Sequence, residues 1–317
     1  MRIGTRRSVL ALAQAELVAG LFGDGCEIVP MVTRGDRQQG PNQPAASADN
    51  DRETPPARGG EDKSRWVAEL EDALARGQID LAVHSAKDVP GELADGLQLV
   101  GVPVRAAAED VLCGAGSLEA LAPGARVGTS SIRRVAQLRA AREDLDVVAI
   151  RGNVDTRLRK LSDSGERLDA IVLAHAGLQR LGRESEVGAV LDPERFVPAP
   201  GQGILALEGR SDDERVREAV RAIADAHAFA CLLAERALAR ELNAGCHTPL
   251  GAHAVPTGDG RLLLRAWVGL PDGSAWASDE LACGIQEPEA LGRRVAERLI
   301  AVGARDMLKQ AEEMAVC

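Results

Sequence analysis

Short β-type runs alternate with helical periodicity over residues 2–100, and the same alternation returns over residues 102–198. Strands are expected at 2–5, 27–33 and 79–83, with a helix from Ser8 and another over 64–75. In the second stretch, strands at 125–128, 147–150 and 170–174 each lead into a helix. Parallel neighbours need a crossover long enough to hold a helix, so strict alternation implies largely parallel, helix-covered sheets. Gly101-Val102-Pro103 and the Pro-rich run from Phe196 to Pro200 read as linkers, and an apolar strand at 203–208 is expected to return to the first sheet. Two crossings make a hinge. One or two amphipathic helices then fill 212–243, followed by strands at 252–255, 262–268 and 276–283 and a final helix over 288–313. Pro271-Asp272-Gly273-Ser274 carries the signal of a hairpin turn between the last two strands.

The segment 35–63 is rich in Gln, Pro, Asp and Gly with almost no aliphatic residue, so it is expected to form a mobile loop or lid. Thr5-Arg6-Arg7-Ser8 before an apolar stretch imitates a twin-arginine export signal, but Gln14 and Glu16 interrupt it. Leu10, Ala13, Leu17 and Leu21 instead recur at the spacing of an amphipathic helix capped near Ser8. No uncharged run reaches the roughly 18 residues of a membrane span.

Charge narrows the partners. With 38 basic against 48 acidic residues the net charge is -10, and there are three Trp, three Phe and no Tyr. A basic stripe with stacking aromatics for nucleic acid is therefore not expected, and any anion site must be local. The six cysteines lack C-x-x-C spacing, as in a reducing cytoplasm.

Ligands of open parallel sheets gather at the carboxyl ends of the strands. Three successive crossovers of the second unit aim Arg there. Gly128-Thr129-Ser130-Ser131-Ile132-Arg133-Arg134 follows a strand and opens a helix, so hydroxyls, free N–H groups and two guanidiniums gather as an anion pocket. The plainer reading is an N-cap Ser beside solvated Arg. Arg151-Gly152-Asn153 with Arg157 repeats the arrangement, and the run 177–180 delivers Arg180. In a chain of net charge -10 this pattern implies a buried ligand with several carboxylates.

In the first unit a strand runs into His84-Ser85-Ala86-Lys87-Asp88-Val89-Pro90. An acid beside a Lys is held ionised and suits the stabilisation of a developing cation, unless the two are only a surface ion pair. Cys246, in the loop from Asn243 to Pro249, is either a nucleophile or attachment point, or inert filler. His247 and His253 beside it lack a fourth ligand and zinc spacing, so no metal is expected. Gly201-Gln202-Gly203 imitates a dinucleotide fingerprint but opens a strand, which is the wrong context.

Taken together, Thr5-Arg6, the runs 32–36, 84–90, 128–134 and 151–153 with Arg157, the runs 176–180 and 198–203, and Gly245-Cys246 resemble the hydroxymethylbilane synthase family, also called porphobilinogen deaminases. The resemblance spans residues 2 to about 255 in the family's order. It implies a cytoplasmic, monomeric transferase of tetrapyrrole, porphyrin and heme biosynthesis. Such an enzyme joins four porphobilinogens head to tail with loss of four ammonia and yields hydroxymethylbilane. The implied fold is α/β, with two periplasmic-binding-protein-like α/β domains joined by a double hinge plus a small C-terminal α+β domain. The boundaries are then 1–101 with 199–211, 102–198, and 212–317.

The resemblance also implies a dipyrromethane cofactor attached covalently to Cys246, with Asp88 and Lys87 as the catalytic pair. Cofactor contacts are expected from Ser8, Arg6, Lys87, Thr129, Ser131, Arg133, Arg134, Arg151, Gly152, Asn153 and Arg157. Substrate contacts are expected from Arg6, Arg151, Arg157, Arg180, Trp66, Gln14 and Gln202. Porphobilinogen is then the one partner, with no nucleic acid and no membrane. The alternative is a non-catalytic periplasmic-type anion-binding protein, which needs neither Asp88 nor Cys246. This chain departs from the family in reading Asp62-Lys-Ser-Arg-Trp66 for a Gly-Lys-Gly-Leu-Phe stretch, and in carrying Pro200 for Val, Val9 for Pro and Arg7 for Gln or Lys.

Overall fold

The computed structural model describes residues 1–32, 61–163, 165, 167–245 and 248–316, with side chains from Val67 in the helix that begins at Glu61 and up to Met314. The lid expected over 35–63 lies outside the described residues as far as residue 60, as do Cys246, His247 and the Trp66 side chain. Residues 61–63 open a helix.

In the first lobe, β1 (Arg2–Arg6) leads to α1 (Val9–Phe22), whose first turn is capped as Ser8 Oγ accepts from the Ala11 amide at 3.3 Å. β2 (Glu27–Met31), α2 (Glu61–Ala75), β3 (Leu81–Ser85) and β4 (Leu97–Gly101) follow. The chain then crosses to a second lobe of β5 (Asp110–Cys113), β6 (Arg126–Gly128), α3 (Ile132–Ala141), β7 (Asp146–Val148), α4 (Val154–Ser162), β8 (Ala170–Ala174), α5 (His175–Arg180) and β9 (Ala189–Val190). It returns through β10 (Leu205–Arg210), which slots antiparallel between β3 and β4.

The two sheets run β2-β1-β3-β10-β4 and β7-β6-β8-β5-β9, so each has three parallel strands, then an antiparallel strand, then an edge strand. The fold is the expected mixed α/β arrangement. Pairing with β10 also explains why β3 lies two residues beyond its expected place: Leu205 faces Ser85 and extends the ladder to it. β4 and β5 escaped the alternation pattern, because neither is followed by a crossover helix.

α1 buries Ala11, Gln14, Ala15 and Val18, whereas Leu17 and Leu21 are 45% and 48% exposed. The expected stripe is therefore corrected. Almost every residue of this helix is apolar, so spacing alone singles out no face, and the small alanines let it sit close on Ile3 and Leu81. Each large side chain fully buried in this cluster contributes about 1.5–3 kcal/mol relative to exposure.

The last unit contains α6 (Glu214–Arg221), α7 (Ala226–Glu241), the antiparallel sheet β11 (Leu250–Pro256), β12 (Arg261–Gly269) and β13 (Trp276–Gly284), then α8 (Pro288–Ala301) and α9 (Ala304–Val316). The single helix expected at the end is two, broken at Gly303 with φ 93°. No helix among the described residues is long and apolar enough to cross a membrane.

Candidate active site

A cavity of about 100 Å³ lies between the lobes. α1 and the end of β3 contribute Gln14, Ser85 and Lys87. The opposite wall carries Arg134, Arg157 and Arg180 from the helices after β6, β7 and β8, and the returning linker adds Gly201, Gln202 and Gly203. An adjoining cavity of about 20 Å³ is lined by Arg6, Gln14, His84, Ser85 and Asp88.

Lys87 and Asp88 reach these spaces because of a single 3-10 turn, Ala86–Asp88, at the end of β3. Ala86 donates its amide to the Ile204 carbonyl at 3.0 Å, and Ala86 and Val89 pack into a cluster with Ile204, Ala228 and Leu232. With residues 86 and 89 facing inward, residues 87 and 88 face the cavities. Burial pushes the Lys87 ammonium down to about 8, against the opposing pull of Asp88. Gln14 borders both cavities and donates from Nε2 to Ser85 Oγ at 3.0 Å. Behind the turn, His84 Nε2 and Glu208 Oε2 meet at 2.9 Å, both buried.

The Arg133-Arg134 pair is less open than its position at a helix start suggests. Both guanidiniums are buried and converge on Asp110, Arg133 at 2.7 Å and Arg134 at 2.7 and 3.0 Å. Arg133 also donates to the Val197 carbonyl at 2.8 Å and lies over the Phe196 ring, and Arg134 donates to the Val172 carbonyl at 3.0 Å. Gln202 Nε2 completes the cluster on Asp110 at 2.9 Å. Burial works to raise the Asp110 carboxyl, but the two guanidiniums outweigh it and hold it well below the usual carboxylate range.

Arg157 and Arg180 are more available. Arg157 Nε donates to the Gly152 carbonyl at 2.9 Å and Arg180 Nη2 to that of Gly203 at 2.7 Å, and neither has a carboxylate partner among the described residues. Burial pushes Arg180 down to about 10, and burial with the charge of Arg134 lowers Arg157. Among the described residues, the Nε of Arg180 and Oε1 of Gln202 are buried without a hydrogen-bond partner. Such unspent capacity fits a ligand rich in carboxylates and N–H groups.

Other expected residues have local work. Ser8 caps α1, and Asn153 caps α4 by accepting from the Thr156 amide at 2.9 Å. Thr129 Oγ1 accepts from the Ser131 amide at 3.3 Å, and Gly152 holds φ 117° at the start of α4. Arg151 is exposed and does not line the cavity.

Sequence reasoning missed Asp110, Ser85 and the buried pair of Arg105 with Glu235, 2.7 Å apart. A lone acid within the small apolar stretch from Ala226 to Ala239 was the available signal for Glu235. Asp110 had none, since an acid after Glu109 reads as a solvated loop.

Residues 1–218 match the family described as porphobilinogen deaminase, dipyromethane cofactor binding domain, and residues 229–301 match porphobilinogen deaminase, C-terminal domain. A porphobilinogen deaminase of Xanthomonas euvesicatoria pv. vesicatoria is 44% identical over 317 residues, covering 98% of this chain and 99% of that protein. One from Xanthomonas oryzae pv. oryzae is 43% identical over 315 residues, covering 97% and 98%. Among solved structures, YhfZ from Shigella flexneri aligns with TM-score 0.33 at 20% identity over 74% of this chain and 87% of its own. An ABC transporter from Parabacteroides distasonis aligns with TM-score 0.40 at 13% identity over 70% and 69%.

Proposed function

Because the chain belongs to the porphobilinogen deaminase family, we propose that its interlobe cleft condenses four porphobilinogens head to tail, with loss of four ammonia, and releases hydroxymethylbilane. The observation that carries this reading is the gathering of Lys87, Arg157 and Arg180 around one cavity beside the Asp88 turn. Residues 1–218 bind a dipyrromethane cofactor. The donor set fits it: Lys87 has no ion-pair partner among the described residues, and Arg180 Nε and Gln202 Oε1 are unspent. When bound, that group supplies the pyrrole carbon from which the product chain grows.

The residues of this chain then divide the work. Asp88 accepts the pyrrole N–H of incoming porphobilinogen and balances the positive charge that develops as ammonia leaves. Lys87, Arg6, Arg157 and Arg180 pair with acetate and propionate groups, where a guanidinium fork matches a carboxylate in two contacts. The Asp110 cluster keeps Arg134 at the cavity wall. Cys246 is the proposed anchor of the primer. The proposed domains are 1–101 with 199–211, 102–198 and 212–317, supported by the return of β10 to the first sheet and by the separate core of the last unit. Free Cys26, Cys113, Cys231 and Cys283 accord with a reducing cytoplasm, and the proposed enzyme acts as a monomer.

Intact mass tests the reading. The purified protein should exceed its sequence mass by two porphobilinogen units less two ammonia, and Cys246→Ser should abolish the excess. Asp88→Asn should keep the excess and lose nearly all turnover. An unmodified protein that still makes hydroxymethylbilane, or an Asp88→Asn variant within about tenfold of the parent, overturns it.

A further inference from the structure

After the Asp88 turn comes Val89-Pro90-Gly91, whose three carbonyls accept no backbone hydrogen bond among the described residues. One side chain takes all three. Arg236, in α7 of the last unit, donates from Nη2 to the carbonyls of Pro90 at 2.7 Å and Gly91 at 2.9 Å, and from Nη1 to that of Val89 at 3.4 Å. Under this fork, Ala86 and Val89 pack on Ala228 and Leu232 of the same helix. The turn therefore has a polar clamp and an apolar seat on one rigid element.

Among the described residues no carboxylate pairs with Arg236. Burial lowers it to about 10, the charge of Arg240 adds to this, and Glu208 opposes it. A half-buried cation held only by carbonyl dipoles costs free energy that an apolar side chain would not. What that cation secures is the place of one loop. A planar fork spans successive carbonyls in a way that the point charge of Lys does not. The preceding residue, Glu235, turns to the other side of α7 and accepts from the amides of Gly201 at 2.6 Å and Ala254 at 2.8 Å. Adjacent residues thus tie the Asp88 turn and the linker that borders the same cavity to a single helix.

We propose that Arg236 is a positioning residue for the condensation: it holds carbonyls 89–91 so that the Asp88 carboxylate keeps its place in the cavity it shares with Arg6 and Gln14. This rests on the reading of Asp88 as the catalytic carboxylate. Misplacement of a reacting group by about 1 Å costs on the order of 10²-fold in rate, so a loosened turn shows in kcat before it shows in stability.

The test compares Arg236→Gln and Arg236→Lys, each in the parent and in the Asp88→Asn background, following the first addition by mass and turnover by product. Arg236→Gln should keep the primer mass and its urea midpoint, lose about tenfold or more in kcat and leave KM within about threefold, with Arg236→Lys between it and the parent. In Asp88→Asn, adding Arg236→Gln should cost nothing further, because the carboxylate it positions is gone. Turnover of Arg236→Gln within about twofold of the parent overturns the proposal, as does an equal loss in both backgrounds. Should the Gln variant not fold, Arg236→Lys decides alone, and an unchanged kcat rejects the role. If Asp88→Asn itself retains turnover, the assignment of Asp88 fails and takes this proposal with it, whereas a failure confined to Arg236 leaves Asp88 in place.

Discussion

Asp110 holds two buried guanidiniums in the floor between the lobes. Asp110→Asn leaves two buried cations facing a neutral amide, so stability should fall by about 3–5 kcal/mol in urea unfolding. A loss under about 1 kcal/mol would show that backbone carbonyls alone satisfy the pair. Since its folded pKa is depressed, the stabilisation by Asp110 is present above the ordinary carboxylate value and disappears as pH falls through the folded one. Lys87 behaves in the opposite sense: burial brings its pKa down to about 8, so the folded enzyme loses this proton well before a free lysine does. In the primer-free Cys246→Ser protein the Lys87 ammonium should titrate near 8, and attachment of the primer, whose carboxylates pair with it, should raise that value. A Lys87 titration that the primer leaves unchanged would remove it from the carboxylate contacts. The residue types of this site were legible in the sequence, since Arg delivered to three strand ends of an acidic chain calls for an anionic ligand. Their division between ligand and protein was not, because Arg133 and Arg134 look equivalent to Arg157 until Asp110, more than twenty residues away, is brought beneath them.

Gly273 shows how an element is constrained by what it docks on. It holds φ 77° in the β12–β13 turn, and a Cβ there would stand 2.5 Å from the Ala140 amide nitrogen and 2.6 Å from the Arg139 carbonyl carbon of α3. Arg139 in turn donates to the Pro271 carbonyl at 3.1 Å, and Trp267 packs with Ala136 and Val197. Gly273→Ala should therefore cost about 1–3 kcal/mol in thermal or urea unfolding through backbone strain, and more if α3 cannot yield. Stability within about 0.5 kcal/mol of the parent would mean that the hairpin swings free of the second lobe. The turn itself was readable from Pro-Asp-Gly-Ser, as were most strands and helices. β4 and β5 were missed because no crossover helix follows either, whereas the two-residue shift of β3 and the wrong face of α1 share one cause. Each is decided by a partner distant in sequence, which local periodicity does not contain.

At the scale of the molecule the last unit touches both lobes and the linkers between them. Its α7 clamps the Asp88 turn through Arg236, its hairpin meets α3, and Glu235 binds Arg105, Gly201 and Ala254 at the crossing. Burial raises the Glu235 carboxyl and Arg105 opposes it, so this buried pair holds only while both members are present. Glu235→Gln should lower stability by about 3–5 kcal/mol and split one unfolding transition into two as the units uncouple. A single transition with an unchanged midpoint would place the coupling elsewhere. The alternation of strand and helix, the two linkers and the strand-end arginines are local features, written in short windows of sequence, and they determined the α/β class, the double crossing and the anionic character of the ligand. Which carboxylate holds which arginine, which face of α1 is buried and which side chain clamps the Asp88 turn were decided only by tertiary structure, because each depends on contacts between segments far apart along the chain, whose pairing is chosen by the packing of the whole core.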